Sequence, residues 1–300
     1  MSKISILVLL SIAGAASAQP AKQSATACVN REATEWRQVR DPILDDTSLQ
    51  YCTGDDCWSL DLATNTVRAA PKRPKVKKLR DAPGILTDGK GTTLASADEN
   101  HVSFCSGGDP SSCKSFDFKI ANHAVNGIAP DMNDEHTLGA LTYLGESENG
   151  SPSYVLAFDL VKSKQVGKRK AGSIEVLGHG FLVDGTTLYN AAFKKVGRLA
   201  APDQAWERLG KSDLVALHDK KTGEFVFQDT RTGLVKTRVA HGVADKSTLF
   251  QFVPTPDGTK LYAIGFRSDE GEVLTIDVAT GKITNRSTPT PCAPGTHRVN

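Results

Sequence analysis

Net charge is nearly missing from this sequence: 36 Lys and Arg stand against 34 Asp and Glu, a formal +2 over 300 residues. Such balance excludes a chain dedicated to nucleic acid or another polyanion. Beyond residue 18 no run is apolar enough to cross a bilayer. Methionine is scarce, with two residues, and apolar residues rarely recur at helical spacing. Glycine-rich turn signals recur throughout, so the chain reads as all-β. Familiar catalytic signatures are missing too: no Gly-x-Ser-x-Gly, no His-Glu-x-x-His, no Gly-x-Gly-x-x-Gly after a strand, no phosphate loop. No catalytic, cofactor-binding or metal-ligating residue is therefore assigned, and no cofactor.

Histidine and carboxylate spacing removes further options. His101, His123, His136, His179, His218, His241 and His297 include no pair at i, i+2 or i, i+4, the spacings that put two ligands on one strand face or helix turn. The densest acidic stretch, Asp131-Met132-Asn133-Asp134-Glu135, lacks the calcium-loop framework and reads as a solvated loop between repeats.

What is present begins with a leader. Met1-Ser2-Lys3, an apolar run from Ile4 to Ile12 and Ala13-Gly14-Ala15-Ala16-Ser17-Ala18 form a signal peptide, with cleavage expected after Ala18. The mature protein is expected to be exported, to the periplasm or the extracellular space. Its six cysteines suit an oxidising compartment. Cys52 and Cys57 flank a short turn, Cys105 and Cys113 a longer one, and each pair is expected to close its own hairpin just before an Asp-bearing strand. That leaves Cys28 with Cys292, near the ends of the mature chain.

A phrase recurs along the chain. Trp58-Ser59-Leu60-Asp61-Leu62, Ser115-Phe116-Asp117-Phe118, Ala157-Phe158-Asp159-Leu160 and Thr275-Ile276-Asp277-Val278 each end a strand in hydrophobic-Asp-hydrophobic and enter a polar turn. One Asp per repeat beside the turn reads as a cap accepting backbone N–H bonds rather than a catalytic group. Six units follow: 28–67, 82–125, 128–166, 172–209, 211–239 and 248–283, with Asp219 marking the fifth and no marker in the fourth. Repeats of roughly forty to fifty residues with about four short strands are the pattern of β-propeller blades. Uneven spacing keeps seven blades open, and two packed sandwiches are the structural alternative.

In the sixth unit, Pro256-Asp257-Gly258-Thr259-Lys260-Leu261-Tyr262 followed by Ile276-Asp277-Val278-Ala279-Thr280-Gly281-Lys282-Ile283 resembles the blade consensus of the broad YVTN, quinoprotein-like and WD40-like propellers. The resemblance implies a ring whose last blade meets its first, where a Cys28–Cys292 bridge would resist opening by about 5 kcal/mol. The expected layout is a leader at 1–18, a flexible segment at 19–27, the propeller at 28–292 and a tail at 293–300. Quinone-binding relatives carry repeated Trp docking motifs, which Trp36, Trp58 and Trp206 are too few to supply.

Three further expectations concern contacts. His179, between Gly178 and Gly180, is the histidine best placed to reach a central channel. Two basic runs, Lys72-Arg73-Pro74-Lys75-Val76-Lys77-Lys78-Leu79-Arg80 and Lys162 to Lys170, follow Asp-bearing strands and read as protected outer edges. In the first, Lys72, Arg73, Lys75, Lys77, Lys78 and Arg80 form the alternative polyanion contact. The expected function is a monomeric, non-enzymatic binding or scaffold module for a protein or small ligand, through longer loops such as 126–135 and 198–205. A metal-dependent propeller hydrolase or lactonase is the alternative.

Overall fold

Segments such as Tyr154-Val155-Leu156-Ala157-Phe158 are apolar at every position, which a strand tolerates only when both its faces are covered. A computed structural model describes residues 28–29, 39–53, 56–71, 84–87, 92–98, 100–106, 110–120, 125–145, 152–201, 206–210, 212–244, 248–266, 272–288 and 290–291. It begins with β1 (Cys28–Val29). Blade 1 holds β2 (Val39–Leu44), β3 (Ser48–Thr53), β4 (Asp56–Asp61) and β5 (Thr66–Ala70). Blade 2 holds β6 (Ile85–Thr87), β7 (Thr93–Ala97), β8 (His101–Phe104) and β9 (Lys114–Asp117). Blade 3 holds β10 (Val125–Met132), β11 (Leu138–Gly145), β12 (Tyr154–Asp159) and β13 (Lys164–Lys170). Blade 4 holds β14 (Ile174–Leu177), β15 (Gly180–Val183), β16 (Thr187–Asn190) and β17 (Lys195–Arg198). Blade 5 holds β18 (Trp206–Arg208), β19 (Leu214–Asp219), β20 (Glu224–Asp229) and β21 (Val235–Ala240). Blade 6 holds β22 (Leu249–Pro254), β23 (Lys260–Phe266), β24 (Val273–Asp277) and β25 (Lys282–Ser287), and β26 (Thr290–Pro291) follows.

Every blade is an antiparallel meander in chain order, and the first strands of blades 2 and 3, 3 and 4, 5 and 6, and 6 and 1 lie against one another, so first strands line the axis. Alternation then splits each strand between two seams. In β12, Leu156 and Phe158 join Phe104 and Phe116 of blade 2, while Val155 and Ala157 join Phe181 and Val183 of blade 4. Similar clusters join blades 4 and 5, 5 and 6, and 6 and 1. The last is decisive: Tyr51, Trp58 and Leu60 of blade 1 pack on Tyr262, Ile264 and Val273 of blade 6. First and last sheets are neighbours, so the chain is a closed six-bladed β-propeller rather than two sandwiches. Among the described residues no apolar cluster joins blade 1 to blade 2.

Closure has two further parts. The Ser287 hydroxyl donates to the Asn65 carbonyl at 2.8 Å, and β1 pairs in parallel with β26, setting Cys28 opposite Thr290. Cys292 lies outside the described residues, so the structure shows adjoining terminal strands and not the expected bridge. The leader, both terminal segments and Trp36 also lie outside them.

The capped turn after the third strand recurs more widely than the sequence reading allowed. Asp61 Oδ1 accepts the N–H groups of Ala63 and Thr64 at 3.0 and 2.8 Å. Asp159 takes Lys162 N–H at 2.8 Å and Asp277 takes Thr280 N–H at 2.8 Å. Blade 4, read as lacking a marker, uses Asn190, whose side-chain oxygen accepts from Ala192 and Lys194 at 3.0 Å each. In blade 5 the equivalent cap is Asp229; Asp219 caps the preceding hairpin, at the end of the second strand. Asp117 is a correction. It ends the outermost strand of blade 2 and faces His101 across the sheet instead of capping a turn.

That slip also corrects the disulfides' setting. Cys52–Cys57 and Cys105–Cys113 form as expected, each with Cα atoms 3.9 Å apart. The first joins second to third strand of blade 1, but the second joins third to fourth strand of blade 2. Unit boundaries shift accordingly: Val125 opens blade 3, and Trp206 to Leu209 belong to blade 5. The Lys162–Lys170 run is indeed an outer edge, with Lys168 folded over Tyr154 and Arg169 over Tyr189. Blade 1 already completes its edge with Thr66–Ala70, so the Lys72–Arg80 run is not that strand and lies outside the described residues.

The third turns of blades 3 to 6 also dock on the preceding blade. Phe193, with φ 56°, stacks on Tyr189 and lies over Gly167 of β13. Gly233 meets Gly197, Gly281 meets Thr237, and the Leu160 carbonyl accepts from Lys114 Nζ. A Cβ on Gly167 would lie 1.9 Å from the Phe193 ring. Gly167→Ala should therefore destabilise the protein by about 1–3 kcal/mol through overpacking. Adding Phe193→Ala should give a total smaller than the sum of the single losses, read by urea denaturation.

The seam between blades 5 and 6 contains two imidazoles. His218, 2% exposed, occupies an apolar position of β19 and lies 5.3 Å from the ring of His241, 1% exposed, with Phe225 and Phe250 beside both. Burial first, then His241 and Lys220, push the His218 pKa down to about 4 against the pull of Asp219. The unfolded chain would bind this proton near 6.5, so stability is whole above that pH and falls as pH drops toward about 4. The loss across that window should reach about 3 kcal/mol. Denaturation at pH values spanning it should show the slope in the native protein and a flatter one in His218→Leu.

Candidate functional site

At one end of the ring, the turns between first and second strands of blades 3, 4 and 5 converge. Asn133, 3% exposed, organises the blade 3 turn: its Oδ1 accepts the N–H groups of Thr137 and Leu138 at 2.9 Å each. Its Nδ2 donates to Thr137 Oγ1 at 2.8 Å and to the Gly178 carbonyl of blade 4 at 2.9 Å. A Cβ on Gly178 would fall 2.7 Å from the Arg208 guanidinium and push it aside. Arg208, from β18, passes beneath it to reach Glu135 at 3.1 Å and the Ser212 carbonyl at 3.3 Å. On the outer side, His179 Nδ1 meets Asp213 Oδ1 at 2.5 Å, and Arg231 approaches the same carboxylate at 3.9 Å.

His179 thus reaches the mouth of the ring, 59% exposed and oriented by Asp213. Sequence reading singled out His179 but missed Asn133, Arg208 and Asp213. A second periodicity would have flagged one of them: Asp45, Asn133 and Asp257 each cap the turn between first and second strands, offset from the Asp marker used for counting. The 131–135 stretch is not a loop between repeats. Asp131 is on the innermost strand and Asn133 to Glu135 form a turn within blade 3.

Two corrections concern the loops expected to share one binding face. Residues 126–132 are strand, and only 133–137 turn. Residues 198–201 leave the fourth strand of blade 4, so they emerge at the opposite end of the ring from the 133–137 turn; 202–205 lie outside the described residues. An antiparallel meander swaps ends at every reversal, so first and fourth connections cannot share a face.

Below the mouth, the innermost strands carry three carboxyl groups. Burial pushes Asp131 up, against N–H bonds from Val176 and Met132. Burial and then the Asp131 charge push Glu175 up, and burial raises Glu207. Among the described residues, no three of His, Cys, Asp and Glu lie close enough to hold a metal ion together. The metal-held hydrolase kept open by the sequence has no ligand set among these described residues.

No family model matches the chain, and no curated protein matches it. Solved structures do. Dihydro-heme d1 dehydrogenase NirN aligns with TM-score 0.42 and 12% identity over 84% of this chain; the chain spans 58% of NirN. KlHsv2 with loop 6CD replaced by a Gly-Ser linker aligns at 0.38 and 13%, covering 87% of this chain and 84% of that one. The WD40 domain of SCAP from fission yeast aligns at 0.33 and 11%, covering 86% and 57%. The ring assignment rests on the sheet order and the seams.

Asp131 offers a direct check on the mouth's electrostatics. A folded pKa raised by burial means the ionised carboxyl weakens the fold as pH rises through it. Asp131→Asn keeps an acceptor for Val176 N–H without the charge. It should melt higher than the native protein at neutral pH, and the advantage should vanish in acid once the native carboxyl is protonated.

Proposed function

We propose that this chain is an exported, monomeric binding or scaffold propeller that engages a protein or polar ligand at the mouth formed by blades 3 to 5, without turnover there. One observation carries the reading: three turns from three blades are locked together by buried Asn133 and half-buried Arg208, while His179, Asp134 and Arg231 remain exposed above them. Groups fixed in advance lose little freedom on binding, which is where a rigid ring gains affinity over a flexible loop. Mixed charge at the mouth suits a partner with both signs rather than a polyanion.

Export is supported by two closed disulfides, which suit an oxidising compartment, and by the leader-like first residues. Among the described residues no helix is long and apolar enough to cross a membrane. Affinity capture from the protein's own compartment tests the role. Replacing His179, Asp134 and Arg231 together by alanine should remove the captured partner. Lys220→Ser with Lys221→Ser, in a turn at the opposite end, should keep it. Retention by the triple variant overturns the site.

A further inference from the structure

Blade 2 buries one face and leaves the other polar. Val102, Phe104 and Phe116 pack toward blade 3, so alternation sends His101, Ser103, Ser115 and Asp117 to the face turned toward blade 1. Register sets His101 opposite Asp117 and Ser103 opposite Ser115. The Phe118 N–H bond to the Asn100 carbonyl fixes the parity: both are non-hydrogen-bonded pairs, the kind whose side chains approach most closely.

The four side chains form one hydrogen-bonded chain. His101 Nδ1 lies 2.9 Å from Asp117 Oδ1, and His101 Nε2 lies 3.0 Å from Ser103 Oγ. Ser103 Oγ lies 2.8 Å from Ser115 Oγ. An ionised Asp117 can only accept, so Nδ1 carries the proton and Nε2 accepts from the Ser103 hydroxyl. Ser115 then donates to Ser103. These are the contacts of a nucleophile, its base and the base's orienting carboxylate, recognised by geometry and not by order in the chain. The Cys105–Cys113 bridge closes the same hairpin just beyond Ser103 and Ser115, pinning the register that brings the groups together.

We propose that Ser103 is a nucleophile for small activated acyl esters, with His101 as general base, Asp117 as positioning residue and the Ser115 hydroxyl turning from Ser103 Oγ to donate to the developing oxyanion. Ser103 Oγ forms a bond to the ester carbonyl carbon while its proton passes to His101 Nε2. Collapse expels the alcohol, which leaves with that proton. Water, deprotonated by His101, then attacks the acyl-serine and releases the acid and Ser103. The site is separate from the blade 3–5 mouth, so it adds a chemistry to the binding role. Asp117 is 95% exposed, which makes its contribution smaller than that of a buried carboxylate.

Diisopropyl fluorophosphate and p-nitrophenyl acetate test it on the full chain. The serine oxygen displaces fluoride from phosphorus in the first, and is acylated in the second. Expected results are one diisopropylphosphoryl group on Ser103 by peptide mapping, and ester hydrolysis lost in Ser103→Ala. His101→Gln should lower both rates about a hundredfold. Asp117→Asn should lower kcat for p-nitrophenyl acetate about tenfold with KM unchanged, and Asp117→Glu should restore part of the loss, which a purely structural contact would not do. Ser115→Ala should slow hydrolysis about tenfold. Equal melting temperatures would exclude misfolding, and a variant that melts early is replaced by Ser103→Thr, which keeps the hydroxyl and should retain labelling. No adduct, adducts scattered over several serines, or labelling undiminished in His101→Gln overturns the proposal.

Discussion

Everything in this ring depends on Tyr262, Ile264 and Val273 of the last blade meeting Tyr51, Trp58 and Leu60 of the first. A four-stranded meander whose strands are apolar on both faces cannot stand alone in water, because each face exposed forfeits its burial energy. Blades 3 to 5 find two apolar neighbours, and blade 2 finds one, by following one another. Blades 1 and 6 find theirs only if the chain comes round, so that contact makes all other seams permanent. The Ser287–Asn65 bond and the β1–β26 pair then hold the join at its rim.

Much of the architecture was legible because it is periodic. Hydrophobic-Asp-hydrophobic strands mark third strands in blades 1, 3 and 6, and there the expected hairpins match the structure. Errors arose where different chemistry fills the same role, or the same chemistry a different one. Asn190 caps as well as Asp does, since only a side-chain oxygen is needed, so blade 4 looked degenerate. Asp219 and Asp229 sit ten residues apart on successive strands, and the motif alone does not say which closes the blade. Asp117 has the right neighbours in sequence, yet its strand is the edge of the sheet.

Contacts between blades were the illegible part. His179 drew attention through its flanking glycines, but nothing local announces that Asp213, 34 positions later, will meet it. Within one hairpin the position is different. Once Cys105 and Cys113 are paired, counting outward puts Ser103 against Ser115 and His101 against Asp117. The polar square on blade 2 was therefore derivable from the expected bridge. No motif along the chain marks it, because the four groups meet across the ladder.

The same alternation explains where both described bridges sit. In blade 1, Leu49, Tyr51, Trp58 and Leu60 face blade 6, which turns Cys52 and Cys57 to the opposite side, toward blade 2. In blade 2, Phe104 and Phe116 face blade 3, which turns Cys105 and Cys113 toward blade 1. Both bridges thus flank the one seam with no apolar cluster among the described residues. A hairpin with a single buried face is marginal, and a covalent closure offsets what missing burial withholds. Covalent staples on both walls let that seam stay polar without loosening the ring. His101, Ser103, Ser115 and Asp117 of blade 2 stand on one of those walls.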